Sequence, residues 1–111
     1  MTVDATNKVD IVAWRPDLPT VRLVIADHLD WENEKDHLLT LQSKLNTYLE
    51  FVESGQLLRD FPDTSGKSIQ IEVAFLHDPP QSTVMNFLLP AIEVVNKFGL
   101  AFTWVFNPGA T

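Results

Sequence analysis

The chain has 111 residues and no cysteine, and it carries a formal net charge of −7 with 45% hydrophobic and 21% charged residues. This apolar content is typical of a folded domain rather than a disordered chain, and the length is enough to bury a core. The absence of cysteine excludes disulfides, thiolate metal ligands and a cysteine nucleophile. It also agrees with a reducing cytoplasm, which is the location we expect.

The charge and hydropathy of the chain limit its partners. A net charge of −7 argues against nucleic acid, whose phosphates attract basic surfaces, and equally against anionic membranes. No segment reaches the roughly 18 apolar residues of a membrane span, and the first ten residues do not resemble a secretory signal. We therefore expect one domain over residues 1–111, with flexible tails at 1–7 and 107–111 and a protein partner that carries basic groups. A cation or a neutral ligand stays open.

Two short strands open the chain. In the segment "KVDIVAW" (8–14), Val9, Ile11 and Ala13 alternate with Asp10, Val12 and Trp14, and "VRLVIA" (21–26) is β-branched and apolar, so each predicts a strand. Pro16 and Pro19 between them fix φ and withhold backbone donors, which is typical of a turn. So short a connection predicts an antiparallel hairpin.

A long helix follows, from about Glu34 to Ser54. Gly55 ends it, because a left-handed residue is least costly as glycine. The next segment, "QLLRDFPDTSGK" (56–67), is predicted to be a loop. The apolar stripe of the helix recurs at intervals of three or four residues and consists of Leu38, Leu41, Leu45, Leu49 and Val52.

The second half of the chain predicts a strand, a helix and a strand. "SIQIEVAF" (68–75) alternates strictly, and "LAFTWVF" (100–106) is the last strand. Between them a helix runs from about Ser82 to Phe98, although Pro90 must kink it or divide it into two pieces. The predicted core face of this helix is Val84, Phe87, Leu88, Ala91, Val95 and Phe98.

The element order ββαβαβ predicts an α/β (α+β) fold. The hairpin is antiparallel and the two helical crossovers imply parallel neighbours or a skipped strand, so the four-stranded sheet is mixed, with its strand order left open. The third strand has one polar face, which indicates that both helices pack on the same side. The predicted architecture is a two-layer sandwich.

The segment "LVIADHLDWENEKDHLLTLQSKLNTYLEFVESGQL" (23–57) resembles a family of small bacterial proteins of unknown function. The "DHLDW" core and the "YLEFVESGQ" end of the helix carry the resemblance, and the hairpin and the "PP" before the second helix are similar too. The resemblance implies a small bacterial single domain without an established activity, so it assigns no catalytic residue.

The densest chemical signal is "DHLDWENEKDH" (27–37). Its alternate acids have the spacing of the first ligands of an EF-hand, but Lys35 replaces the glycine of the sharp turn and Leu41 replaces the bidentate glutamate. An EF-hand calcium site is therefore not expected. The acids concerned are Asp30, Glu32, Glu34 and Asp36.

A transition-metal or catalytic site is a second interpretation. His28 and His37 are nine residues apart, so they are not the i, i+4 pair of a helical zinc site. If the second and third strands are parallel neighbours, their carboxyl ends lie together, at the edge where ligands bind in open sheets. The acids at the end of the second strand then lie close to His77 or Asp78. The candidate functional cluster is Asp27, His28, Asp30, Trp31 and His77.

The third interpretation is an acidic helix start. Carboxylates in a first helical turn are favoured by the helix dipole, and either Asp30 or Asn33 can cap the helix. Trp31 is then a lid on the core, and Asp27 accepts hydrogen bonds from the helix N-terminus. An acidic surface of this kind also offers a binding site for a basic protein, formed by Glu32, Glu34 and Asp36.

Apolar residues exceed what one two-layer core needs. On the second helix, Met85 and Leu89 lie opposite the core stripe. The outer sheet face is predicted to collect Ala74 with Val12, Trp14, Val24, Ala26 and Val105. Contiguous apolar patches typically mark interfaces, so we predict a homodimer or partner interface. Its members are Val12, Trp14, Val24, Met85 and Leu89.

These patterns favour an acidic cytoplasmic domain that binds a protein and performs no chemistry. An inhibitor or immunity-type protein that covers a basic toxin surface is one version of this function. The alternative is a small enzyme or a metal- or ligand-binding protein with a site around Asp27, His28 and His77. No cofactor and no bound metal are predicted.

Overall fold

The four predicted strands form one mixed sheet. The computed structural model describes residue 9 and residues 11–106, so the tails predicted at 1–7 and 107–111 lie outside the described residues. β1 is antiparallel to β2, as the sequence predicts, and the other neighbours are parallel. The order in the sheet, which the sequence left open, is β1-β2-β3-β4. The strands are β1 (Ile11–Ala13), β2 (Thr20–Asp27), β3 (Ser68–Phe75) and β4 (Ala101–Phe106).

Helices connect the parallel strands, and one of them lies where a loop was predicted. A short helix within 56–67 buries Leu57 against the core. A single buried residue gives no periodicity from which the sequence could predict this helix. Within the described part of the chain, no helix combines the length and the apolar character that a bilayer span requires. The helices are α1 (Glu34–Glu53), α2 (Gln56–Asp60), a 3-10 turn (Pro62–Thr64), α3 (Gln81–Thr83), a π-helical turn (Val84–Leu88) and α4 (Leu89–Asn96).

One core lies between the sheet and the helices. Side chains of β2 and β3 alternate, so that every second one points at the helical layer and is buried. Burial follows from the sequence alternation, and it places both helical segments on one face. The buried apolar residues of the sheet are Val21, Leu23, Ile25, Ile71, Val73, Phe75 and Phe102; those of the helices include Leu41, Leu45, Tyr48, Leu49, Leu88, Ala91 and Val95.

Pro90 is accommodated by the π-helical turn. It has no N–H to donate, and its ring clashes with a carbonyl one turn earlier in a regular α-helix. Here the N–H of Leu89 donates to the carbonyl of Val84, five residues before it, and Pro90 then stands in the first turn of α4. The backbone stays in the right-handed helical region at Thr83, Leu88 and Leu89, so the π-helical turn accommodates the proline within one continuous helical segment.

Lys44 on α1 is fully buried, which the apolar stripe did not predict. Its ammonium lies 5.6 Å from the ring centroid of Tyr48, within the range of a cation–π interaction. The hydroxyl of Tyr48 donates to the carbonyl of Val24 at 2.6 Å. The core stripe of α1 thus includes two polar-tipped side chains, and Leu38 and Val52 at its ends are only half-buried.

Two predicted positions on the surface are wrong. Val12 pairs with Leu23, so it shares the helix-covered face of the sheet, and Trp14 also packs against the core. Ile11, paired with Val24, takes the outer position instead. A shift of one residue in the assumed register explains the error, since it reverses every side chain of a strand. Phe98, predicted in the core, lies beyond α4 and is exposed.

Leu88 and Leu89 give a matched test of the helical register. Leu88 is completely buried, whereas its neighbour Leu89 is 44% exposed. Leu88→Ala should lower the free energy of unfolding by about 2–5 kcal/mol, because it removes core contacts and leaves a cavity. Leu89→Ala should change it by about 0.5 kcal/mol or less. Urea denaturation of both variants measures the difference, and equal effects would contradict this placement of the helix.

Candidate functional site

The candidate site begins where β2 and β3 end side by side. Asp27, the last residue of β2, is in register with Phe75, the last residue of β3. The N–H of Leu76 donates to the carbonyl of Asp27 at 2.9 Å, which extends this pairing by one residue. The carboxyl ends of the two strands are therefore adjacent, as expected for parallel neighbours.

Asp27 forms a buried pair with His37 in the first turn of α1. Their side chains are 0% and 2% exposed, and Oδ2 of Asp27 lies 2.5 Å from Nε2 of His37. Oδ1 of Asp27 accepts from the N–H of Leu29 at 3.1 Å. The carboxylate thus meets a loop amide and an imidazole rather than the helix N-terminus, so all its partners lie within residues 29–37.

Both nitrogens of His37 are occupied. Nδ1 lies 2.9 Å from the backbone carbonyl of Asp30, and a carbonyl oxygen can only accept, so Nδ1 carries a proton. A second proton lies between Nε2 and the carboxylate of Asp27, which leaves the pair neutral overall. Pairing of this kind offsets the cost of removing a carboxylate and an imidazole from water.

Trp31 covers this pair. Its ring stacks on the ring of His37 with centroids 3.7 Å apart and an interplanar angle of 17°. Its ring centroid also lies 5.8 Å from the ring centroid of Phe75, and its Nε1–H donates to the carbonyl of His77 at 3.0 Å. Trp31 therefore joins the β2–α1 loop to the end of β3 and shields the Asp27–His37 pair from solvent.

Asn33 caps α1, and Glu34 is tied to another helix. The side chain of Asn33 accepts from the N–H of Asp36 and donates to its carboxylate at 2.8 Å, which settles the choice between two predicted caps. The carboxylate of half-buried Glu34 accepts hydrogen bonds from Ser82, at 3.1 Å, and from Thr83. Glu34 thus joins α1 to α3 and is less exposed than Glu32 and Asp36, and its place in the acidic binding surface stays a prediction.

Three acids of the loop and of the first turn of α1 remain exposed: Asp30, Glu32 and Asp36. Their only hydrogen bonds here are local, from the N–H of Glu32 to Asp30 and from Asn33 to Asp36. Among residues 9 and 11–106, the ion pairs are Arg15–Asp17, Arg22–Glu72 and the buried His37–Asp27. None of these ion pairs involves Asp30, Glu32 or Asp36.

A surface cavity of about 340 Å³ opens beside these acids. His28 contributes an exposed imidazole to it, and His37 contributes part of a buried one. His77 is exposed and joins the cluster only through its backbone carbonyl. In the described residues, no group of three or more histidine, aspartate or glutamate side chains is placed to hold a metal ion. The lining residues are His28, Leu29, Asp30, Asn33, Asp36, His37 and Thr40.

This arrangement of side chains fixes the position of the loop and does not favour proton transfer between His37 and a bound molecule. A general acid or base needs one nitrogen within reach of a bound molecule. His37 has none, because Asp27 and Asp30 occupy both positions. The predicted cluster is thus divided: Asp27 and Trp31 meet around His37, whereas the side chains of His28 and His77 face solvent.

His37 is the residue that the sequence patterns missed as a partner of Asp27. A signal for it was present, because His37 precedes Leu41, Lys44, Leu45 and Tyr48 at helical spacing. These residues form the buried stripe of α1, and His37 is its first member. A histidine at the start of a core stripe needs a polar partner nearby, and the strand-end aspartate ten residues earlier provides it.

The fold and the site together define a small α+β domain with a mixed four-stranded sheet and a buried Asp–His–Trp cluster. A model for a family of unknown function, DUF6572, matches residues 1–108, and the chain belongs to this family. Neither the curated proteins nor the solved structures contain a significant match. Membership of a family of unknown function is therefore confirmed, whereas the "DHLDW" motif as its mark and a bacterial origin stay predictions.

A double-mutant cycle tests the buried pair. Asp27→Ala and His37→Ala should each lower the free energy of unfolding by about 3–5 kcal/mol, because each leaves a buried polar partner unpaired. The double variant should lose less than the sum, by about 0.5–3 kcal/mol, since neither partner is then left alone. Urea denaturation provides the values. Glu32→Ala is the control for an exposed acid, and additive losses at Asp27 and His37 would contradict the pairing.

Proposed function

We propose that this protein is a non-enzymatic binding domain that recognises a basic surface of a protein partner. The observation that carries the proposal is the set of exposed acids Asp30, Glu32 and Asp36, which take part in no ion pair within the described residues. Exposed carboxylates of one sign attract an oppositely charged surface and accelerate its association. The overall charge of −7 acts in the same direction.

Rigidity of the loop supports the same proposal. The loop that carries the acids is held at one end by the Asp27–His37 pair and at the other by the Asn33 cap. Trp31 joins its middle to β3. A binding loop that is already ordered loses less conformational freedom when the partner docks, and this increases affinity.

The partner class remains part of the proposal. An inhibitor or immunity-type protein, which covers the basic surface of a toxin, fits a small acidic domain with a fixed acidic loop. A bacterial source and a cytoplasmic location, both expected from the sequence, belong to the same proposal. In this function the Asp27–His37 pair positions the loop and does not contact the partner.

Charge reversal tests the binding loop. Glu32→Lys/Asp36→Lys should abolish the capture of basic proteins from a lysate of the source cells, because the partner would then meet like charges. Glu50→Lys/Glu53→Lys makes the same change in net charge at the far end of α1, where both residues are exposed, and should retain the capture. Quantitative mass spectrometry of the retained proteins compares the two variants with the wild type. Identical partners for the wild type and the loop variant would contradict the proposal.

A ligand-binding or catalytic site is the second candidate, and the cavity beside the loop favours it. The cavity has room for a small molecule and presents the exposed imidazole of His28 together with the carboxylates of Asp30 and Asp36. An enzyme that used it would depend on His28 rather than His37, since the nitrogens of His37 are occupied.

Metal analysis tests the version of the second candidate in which His28 binds a metal ion. If the loop serves binding alone, the purified protein should contain well under one equivalent of zinc or manganese, and a chelator should leave its melting temperature unchanged. The ligand-site candidate would instead be supported by about one equivalent of metal that is lost in His28→Ala. His28 is exposed, so this variant should fold normally, and circular dichroism provides the control.

A further inference from the structure

The two edges of the sheet differ in how they are protected. β4 pairs with β3 along one side, and no strand among residues 9 and 11–106 pairs with its other side. Its backbone N–H and C=O groups on that side are therefore available to another strand. β1, at the opposite edge, has only three paired residues, so it offers little to pair with.

β4 carries none of the features that usually protect an edge strand. Its six residues, Ala101–Phe106, include no charge and no proline, and the printed sequence contains no charged residue after Lys97. Val105 and Phe106 are 41% and 49% exposed. Lysines, prolines or bulges normally prevent a strand of this composition from pairing with other chains.

We propose that β4 pairs with β4 of a second copy of this chain. The two strands would run antiparallel about a two-fold axis and join two four-stranded sheets into one of eight strands. Residues that lie opposite each other in an antiparallel pair point to the same face of the sheet. In the register centred on Thr103, Thr103 therefore lies opposite Thr103 of the other copy, and Ala101 of each copy lies opposite Val105 of the other.

Charge selects a second copy as the occupant. Two chains with a net charge of −7 repel each other wherever their acids meet, and the exposed acids of the β2–α1 loop exclude that region as a symmetric contact. Along β4, two copies approach with no charged side chain on either strand. β4 of each copy is therefore both the unprotected edge and the uncharged strand that pairs with the edge of the other copy. This dimer is independent of the proposed binding function.

Matched lysine substitutions test the dimer. The wild type should sediment as a dimer at concentrations of tens of micromolar. Ala101→Lys/Val105→Lys places lysines of the two copies opposite each other on the exposed face of β4 and should raise the dissociation constant by more than about tenfold. Leu39→Lys/Met85→Lys adds the same charge to exposed apolar positions of the helical layer and should leave the dimer intact. A monomeric wild type, or a dimer that survives the β4 change, would overturn the proposal.

Two other surfaces could produce a dimer, and the same measurement separates them. Val24→Lys changes the outer face of the sheet, and Leu89→Lys changes the exposed apolar surface that Met85 and Leu89 form on the second helical segment. Dissociation by either variant and not by the β4 variant would contradict pairing at β4.

Hydrogen exchange on the wild type tests pairing at β4 without any substitution, so it remains informative if the lysine variant fails to fold. The amides of β4 should become more protected as the protein concentration increases, while those of β1 do not change. Equal protection of β4 at low and high concentration would overturn the proposal.

Discussion

The buried hydrogen bond between Asp27 and His37 is the constraint on which the loop geometry depends. It places a carboxylate and an imidazole in the core at the point where the sheet passes into α1. Neither group is stable there alone, because removing a polar group from water without a partner costs free energy. The loop must therefore return to the strand end within ten residues, and its path follows from that requirement.

Several other contacts complete the same corner of the molecule. Trp31 covers His37 and reaches the carbonyl of His77, so the end of β3 is joined to the loop. Glu34 accepts from Thr83 and joins the first turn of α1 to α3. Acids that share one short acidic segment thus have different roles: Asp27 and Glu34 are structural, whereas Asp30, Glu32 and Asp36 face solvent.

The helical layer and the sheet edge differ in how their unpaired backbone groups are accommodated. At Pro90 the missing donor is absorbed by a π-helical turn, so that Leu88, Ala91 and Val95 still reach the core. At β4 the free backbone groups have no such local solution within the described residues. A helix satisfies its own hydrogen bonds, but an edge strand depends on another strand for its own.

The sequence by itself determined the four strands, the two main helical segments, the mixed sheet and the single helical layer, because side-chain period is a local property of the chain. The alternation of 68–75 and the end of α1 near Gly55, whose φ is 82°, are examples. Only the tertiary structure decided which side chains meet. Glu34 and Thr83 are 49 residues apart, and the position of Val12 depended on a register that one residue reverses. Local patterns state which face of an element is apolar, but the partner of each polar group is chosen when the elements pack.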